Sequence, residues 1–480
     1  MRKLLKPGFV LVLLVLVLVS CSQPTKDFTY TTKSKEALNY FNQGLAELDM
    51  LQLDRARGLF DKALELDPNF AMAHFYRAQT AVSGDEFRHH LAMAVKDMAN
   101  VTEPEKLAIR QMKANSEDKT GEARTNLEKL VGLLPESRRA HYLMGIFYFG
   151  QQEWANAEKE FTTITMLDPK FAPVYNMLAY AYSNQMKYPE AIDALKTYAE
   201  LRPSDPNPYD SMGEIYLHSG DYENSIMAYE KSLDIDPLFN ASHAGLGHNY
   251  CFTEQYDKAR EHYNMYRTQA KSVADTNTYY FWTAASYVYE GNKDMAIKTL
   301  LEQVEFAKVR AQVANQAGIC QQIALMYLEN KEYKQALAQV DKARALAKDP
   351  KLQKAAVEGI IRGTDALEAR IYAAIGKKNE AAKSLEQMRI SAMASNNAIN
   401  EDNYHGAAGL VALAEGDYKL AIEHFNSANE QNMYQQYYRA MAMEKAGMGE
   451  AAKELYRKVA NYNRNNYLYA FVREAAMKKS

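Results

Sequence analysis

Cysteine is scarce in this 480-residue sequence: Cys21, Cys251 and Cys320 are its three thiols. Residues so few and so widely spaced do not make a disulfide framework. An excess of one charge is missing too. Lys and Arg total 57 against 60 Asp and Glu, a formal net of −3. That balance supplies no basic face or stripe, so nucleic acid is not an expected partner. Apart from Phe9 to Val19, no apolar run approaches 18 residues, and the rest of the chain is expected to be soluble. Motifs for chemistry are also absent: there is no H-E-x-x-H, no G-x-S-x-G and no phosphate-cradling glycine loop. Gly245 to Gly247 read "GLG", but inside a predicted helix with no strand before it. Asp210, Glu214 and His218 share a helical face, yet the first and last lie roughly 12 Å apart along the axis, too far for one ion. His89 and His90 are adjacent and so point in different directions around a helix. These absences predict no enzyme, no metal and no cofactor.

The N-terminus carries a targeting pattern. Arg2, Lys3 and Lys6 precede the apolar run Phe9 to Val19, whose eleven residues would cover only about 16 Å as helix, too short for a stable membrane span. The run ends in Leu18-Val19-Ser20-Cys21, which resembles the lipobox of bacterial lipoproteins. That resemblance implies cleavage before Cys21 and lipidation of its thiol, hence a membrane partner through an N-terminal lipid anchor. Two or more acyl chains, at about 0.8 kcal/mol per buried methylene, hold a protein on a bilayer almost permanently. Ser22 in place of aspartate implies the outer membrane, facing the periplasm, as the location in the cell envelope.

The body of the sequence repeats. "EWANAEKEFTTITMLDP" from Glu153 returns as "KYPEAIDALKTYAELRP" from Lys187 and "DYENSIMAYEKSLDIDP" from Asp221, each 34 residues after the last. Each copy follows an apolar helix with one small residue at its centre, so the unit is helix, turn, helix, proline stop. The small residue recurs as Gly44, Ala78, Gln111, Gly145, Ala179, Gly213 and Gly247. Twelve residues on comes a second small residue (Ala56, Ala123, Ala157, Ala191, Ser225, Ala259), and four beyond that a bulky one (Phe60, Leu127, Phe161, Leu195, Tyr229, Tyr263). Antiparallel helices approach closely only where side chains are small, and the bulky residue fills the space one turn on. In period, paired small residues, bulky partner and terminal proline the sequence resembles the tetratricopeptide repeat family.

His90 stands where a second small residue belongs and Gln111 where a first does, so those junctions are expected to be distorted, with Thr102 and Glu105 forming a capping box between them. Beyond Gly247 the period loosens through Ala284, Ala324, Ala369, Gly409 and Ala440, with longer helices or insertions expected near 302–318, 344–363 and 389–403. The organisation predicted is a signal peptide at 1–20, a lipidated cysteine and flexible tether at 21–34, a regular array at 35–271, a divergent array at 272–465 and a capping helix at 466–480. The fold class is all-α, a right-handed solenoid of about twelve helix pairs, in which stacked neighbours share one core.

In the family the first helix of each pair lines a concave face. Tyr142, Asn176, Asp210 and Ala244 form one row on it; Ile146, Tyr180, Glu214 and His248 form the next, with Arg139 at the edge. Seven of these, Arg139, Tyr142, Asn176, Tyr180, Asp210, Glu214 and His248, are the expected protein-binding set, facing an extended peptide or a partner's helix. The resemblance implies a non-catalytic protein-interaction scaffold tied to a membrane, with the partner protein or peptide unspecified. The alternative is a nutrient- or glycan-binding outer-membrane lipoprotein of the SusD type, which would use exposed aromatics. The regular array and two tryptophans, Trp154 and Trp282, fit that less well.

Overall fold

Proline stops at Pro68, Pro135, Pro169, Pro203 and Pro237 punctuate the first half of the sequence, and no proline follows Pro350. The computed structural model describes residues 28–395 and 397–480, and all regular structure among them is helical. The leader, Cys21 and the start of the tether lie outside the described residues. The chain divides into two compact units, one ending at Gln185 and one beginning at Met186. In the first, α1 (Lys35–Asp49) turns into α2 (Leu53–Leu66) and α3 (Ala71–Gln79) into α4 (Gly84–Asp97). Next come α5 (Glu103–Ser116) with α6 (Thr120–Leu133), α7 (Arg138–Gly150) with α8 (Trp154–Leu167), and α9 (Ala172–Asn184). The second unit opens with α10 (Tyr188–Leu201), then α11 (Asn207–Ser219) with α12 (Tyr222–Ile235) and α13 (Asn240–Phe252) with α14 (Tyr256–Thr268). Longer helices follow: α15 (Val273–Tyr289), α16 (Lys293–Val309), α17 (Val313–Glu329), α18 (Tyr333–Leu346), α19 (Lys354–Ala374), α20 (Lys378–Ala394) and α21 (Ala398–Glu415). The unit closes with α22 (Tyr418–Asn426), α23 (Met433–Lys445), α24 (Gly449–Ala460) and two short pieces, α25 (Tyr467–Ala470) and α26 (Arg473–Met477).

Packing follows the small-and-bulky spacing. An added Cβ at Gly44, Gly145, Gly213 or Gly409 would sit 2.5–2.8 Å from the ring of Phe60, Phe161, Tyr229 or Phe425, and one at Gly247 would collide with Tyr263. Each of those pairs is one first-helix residue and the bulky residue sixteen positions later, so a methyl group there would force the two helices apart. Ser225, at a second small position, is fully buried and donates to the Gly213 carbonyl at 2.5 Å while accepting from Asn249.

The proline stops have a second part. Asp67, Asp168 and Asp236 each precede proline and adopt φ between −142° and −136°, away from the helical region that proline's ring forbids its predecessor. Each carboxylate then accepts the backbone N–H two residues on, at 3.2, 3.3 and 2.9 Å, and each turn ends in a phenylalanine, Phe70, Phe171 or Phe239. The insertions expected in the divergent part are mostly longer helices: α19 has 21 residues and α21 has 18, where α7 to α14 have 13 or 14. At the irregular second pair, α3 is cut to 9 residues, and His90 meets His74 through their Nδ1 atoms at 3.0 Å.

The described part of the tether and the C-terminal segment both depart from expectation. The tether predicted to run to residue 34 is docked from Phe28 onward. Phe28 is buried, Tyr30 packs edge-on against Phe41, and Thr31 donates its N–H and hydroxyl to Glu105 at 2.8 and 2.6 Å. Glu105 is fully buried yet satisfied, because it also accepts from the N–H and hydroxyl of Thr102, completing the capping box read from the sequence. The predicted capping helix at 466–480 is instead two short turns threaded back into the second unit. Tyr469, Val472 and Ala476 are buried in a cluster that holds Leu217 and Phe252 together with Tyr437 and Tyr456. A run of Asn463, Arg464, Asn465 and Asn466 breaks the helix and lets the chain turn inward, Asn466 capping α25.

Candidate functional site

First helices of successive pairs touch one another at α3 and α5 in the first unit, and in the second at α11 and α13, α17 and α19, α19 and α21, and α21 and α23. Helices α17, α19, α21 and α23 thus form an unbroken run of first helices, while of the seven expected binding residues Arg139, Tyr142, Asn176 and Tyr180 lie on α7 and α9 of the first unit and Asp210, Glu214 and His248 on α11 and α13 of the second. In the first unit Arg139 is 7% exposed and pairs with Asp49 at 2.7 Å, a carboxylate that Arg138 also holds at 3.0 Å. Tyr142 is half-buried between Phe161 and Phe171, and burial pushes its hydroxyl up to about 12. Asn176 and Tyr180 are half-buried, and the Asn176 Oδ1 is buried with no hydrogen-bond partner.

Three of the seven lie in the second unit. Burial pushes Asp210 up to about 7, against the hydroxyl that Ser242 donates to it at 2.7 Å. Glu214 faces His218 at 3.6 Å, one turn along α11. His248 is covered by the chain itself: its Nδ1 accepts from the Asn465 amide at 2.8 Å and contacts the Tyr263 hydroxyl at 2.9 Å, with Trp282 edge-on at 4.8 Å. Burial drives His248 down to about 3. An open partner-facing role for His248 is thus corrected to an internal one, because the C-terminal segment already occupies its surface.

A further opening lies among the later first helices of the second unit. A cavity of about 340 Å³ is lined by residues of α17, α19, α21 and α23, one wall being Leu468 of the C-terminal segment. Arg362 and Arg370 enter it from α19. Arg370 is balanced by Glu329 at 3.1 Å, which also accepts from Tyr434 and Tyr438. Arg362 has no carboxylate partner among the described residues; one of its nitrogens donates to Ser391 at 3.2 Å. A second groove of about 810 Å³ is lined by residues of α18, α19 and α20, where Arg344 is held by Asp365 and Glu368 at 2.9 and 3.1 Å. Sequence reading missed Arg362 and its cavity. The signal available was two glycines, Gly359 and Gly363, inside one predicted helix.

Among the described residues no three His, Cys, Asp or Glu side chains are placed to hold a metal ion, and no helix is long and apolar enough to cross a membrane. Models of the tetratricopeptide repeat match residues 41–87, 172–205 and 207–237. No curated protein matches the chain. Among solved structures, a tetratricopeptide repeat protein from Parabacteroides merdae is similar at 14% identity and TM-score 0.38, over 55% of this chain and 98% of its own. PilF of Pseudomonas aeruginosa is similar at 17% identity and TM-score 0.33, over 42% of this chain and 91% of its own. MamA of Desulfovibrio magneticus is similar at 19% identity and TM-score 0.31, over 35% and 96%.

Proposed function

The chain carries tetratricopeptide repeats, and from that premise we propose that it is a non-catalytic scaffold, held in the cell envelope by lipid on Cys21. It binds a peptide or helical segment of a partner protein on the inner surface of its first helices. The observation that carries this reading is the cavity of about 340 Å³ on that surface, walled by four successive first helices. It lies within the size range of specific binding clefts. Of the expected contact residues Tyr142, Asn176, Tyr180, Asp210 and Glu214 are partly exposed. Arg139 and His248 act inside the fold, holding Asp49 and Asn465. The lipid anchor and the outer-membrane address rest on the leader sequence alone. The glycan-binding alternative finds less support, since Trp154 packs edge-on against Phe149 and Trp282 against His248 and Tyr266.

Crosslinking on intact membranes, with captured proteins identified by mass spectrometry, tests the scaffold reading. Discrete protein partners are expected; glycan retention without any protein partner would overturn it. Labelling cells with an alkyne-bearing fatty acid should tag the wild-type chain and leave Cys21→Ser untagged.

A further inference from the structure

Three histidine pairs join the first and second helix of a hairpin, Nδ1 facing Nδ1. His74 meets His90 and His405 meets His424 at 3.0 Å, and His243 meets His262 at 3.2 Å. Independently of the scaffold reading, we propose that these pairs are two-histidine sites for an imidazole-binding divalent transition-metal ion, copper(II) in preference to zinc. Two ring nitrogens bound to one such ion at about 2.0–2.1 Å, and set roughly 90–109° apart, lie about 2.8–3.4 Å from each other. Every one of the pairs falls inside that window. No third side chain is required, because His90, His262 and His424 are only half-buried and water can complete the shell.

The inner rings are held in the way that metal-binding imidazoles are held. His74 and His243 are 5% and 7% exposed, and each bonds the carbonyl of the proline six residues earlier, Pro68 at 3.1 Å and Pro237. That bond keeps the ring proton at the carbonyl and leaves Nδ1 a lone pair aimed at the partner ring. Serving the carbonyl does not account for the second histidine. Tyr175 serves the Pro169 carbonyl at 3.0 Å, and the next helix, α10, contains no histidine. Burial lowers all four rings of the two anchored pairs, His90 and His262 to about 4, so the free bases are the form present at neutral pH. Without an ion, the outer ring donates its Nδ1–H to the inner Nδ1. When an ion enters, that proton passes to the outer ring's Nε2, and both lone pairs bind metal. Arg77, whose charge reaches His90, is balanced by Asp61 and Glu86 at 2.6 and 3.3 Å.

The hairpin of α7 and α8 supplies the counter-case. His141 bonds the Pro135 carbonyl at 3.0 Å, but its Nδ1 meets Glu160 at 2.6 Å. Glu160 stands nineteen residues after His141, as His262 does after His243 and His424 after His405. Glu160→His would therefore complete one further anchored pair.

Equilibrium dialysis of the untagged, chelator-treated full-length protein against copper(II), with bound metal counted by mass spectrometry, tests the assignment. Two tight ions per chain are expected, at the anchored pairs. A third, at His405 and His424, should bind about ten- to hundredfold more weakly, as no carbonyl bond is described for either ring. Nitrogen hyperfine splitting in the electron paramagnetic resonance spectrum should count two imidazoles per tight ion. His90→Gln and His262→Gln should each remove one tight ion, Glu160→His should add one, and His89→Gln, at an exposed neighbour, should change nothing. Copper should raise the melting temperature of the wild type and leave that of the His90→Gln, His262→Gln double variant where it is. No copper retained, a count unchanged in the double variant, or a spectrum without imidazole nitrogen would overturn the proposal and show the pairs to be hydrogen bonds alone.

Discussion

The first and last described segments are fastened by different physics. In the first unit, Thr31 and Thr32 reach Glu105 and Asp67, and every bond at the buried Glu105 carboxylate is made. In the second, residues 463–473 reach partners 145 to 251 positions earlier: Gln322, His248 and Tyr222. That closure buries rings in quantity but leaves Asn465 Oδ1, Arg473 Nε, His218 Nδ1 and Asn249 Oδ1 without hydrogen-bond partners. The first fastening is a polar latch on an edge. The second is a structural core element, and it consumes inner surface that a partner would otherwise use. In a repeat array, stability is nearly a sum over neighbours; a segment that ties early repeats to late ones makes the second unit cooperative across its length.

Removing residues 461–480 should give the largest effect. Protection from hydrogen exchange should fall across α11, α13 and α15, far from the cut in sequence, while the first unit keeps its own. A loss confined to α23 and α24 would show the closure to be a simple end cap. A single substitution sharpens the test. Tyr469 is 1% exposed and donates to the Val459 carbonyl at 2.9 Å, so Tyr469→Ala should cost about 3–5 kcal/mol in chemical denaturation of the second unit. Thr31→Ala in the first unit should cost about 1–2 kcal/mol, one polar attachment.

Acidity should separate the fastenings next. Burial lowers His248 to about 3, and Asn465 donates to the nitrogen that a proton would take. A base whose folded value is depressed contributes stability that is whole above about 6.5 and lost progressively as pH falls toward 3. His141 in the first unit has the opposite sign. Burial resists its charge, but Glu160 at 2.6 Å and the Pro135 carbonyl outweigh that and raise it. Its contribution is complete below about 6.5 and fades as pH rises through the raised folded value. His74 and His90, both lowered by burial, act against it within the same unit, so the comparison must be made through variants. His248→Gln should reduce the loss of protection in the second unit between pH 7 and pH 5. His141→Gln should reduce the gain at the α7–α8 junction. Equal slopes in wild type and variants would remove electrostatics from the comparison.

Legibility in the sequence tracked distance along the chain. The small and bulky positions could be read because their contacts recur sixteen residues apart, and the pairs Gly44 with Phe60 and Gly145 with Phe161 meet as the spacing requires. The Thr102 capping box was readable for the same reason. Asp49 and Arg139 are 90 residues apart and obey no period, so Arg139 read as a surface charge. The C-terminal phrase "NYLYAFVREAAM" has helical spacing, and nothing local says that Tyr467 donates to the Gln322 carbonyl on α17 and Tyr469 to the Val459 carbonyl on α24. The expected binding strip falls in the regular repeats, where residues 34 apart form rows. The open cavity formed where α19 and α21 lengthen and the period fails.

The smallest expected effect concerns a turn position that both units share, seven residues after the first small residue. There the backbone turns left-handed. The first unit places Leu51, Asp118 and Gln152 there at φ of 56° to 60°; the second places Met186, Glu254 and Lys331 there at 61° to 63° but uses Gly220, Gly291, Gly376, Gly416 and Gly447 in five other turns. A side chain in this region costs about 1–2 kcal/mol of steric strain, and glycine avoids it at the expense of a looser unfolded chain. Gly416 isolates the backbone term, because a Cβ built there meets nothing within 4 Å. Gly416→Ala should therefore destabilise the second unit by about 1 kcal/mol, and Gln152→Gly should stabilise the first by about 0.5 kcal/mol, both read from thermal melts. If Gly416→Ala proves neutral, left-handed strain does not distinguish the units, and what sets them apart is carried by the C-terminal closure alone.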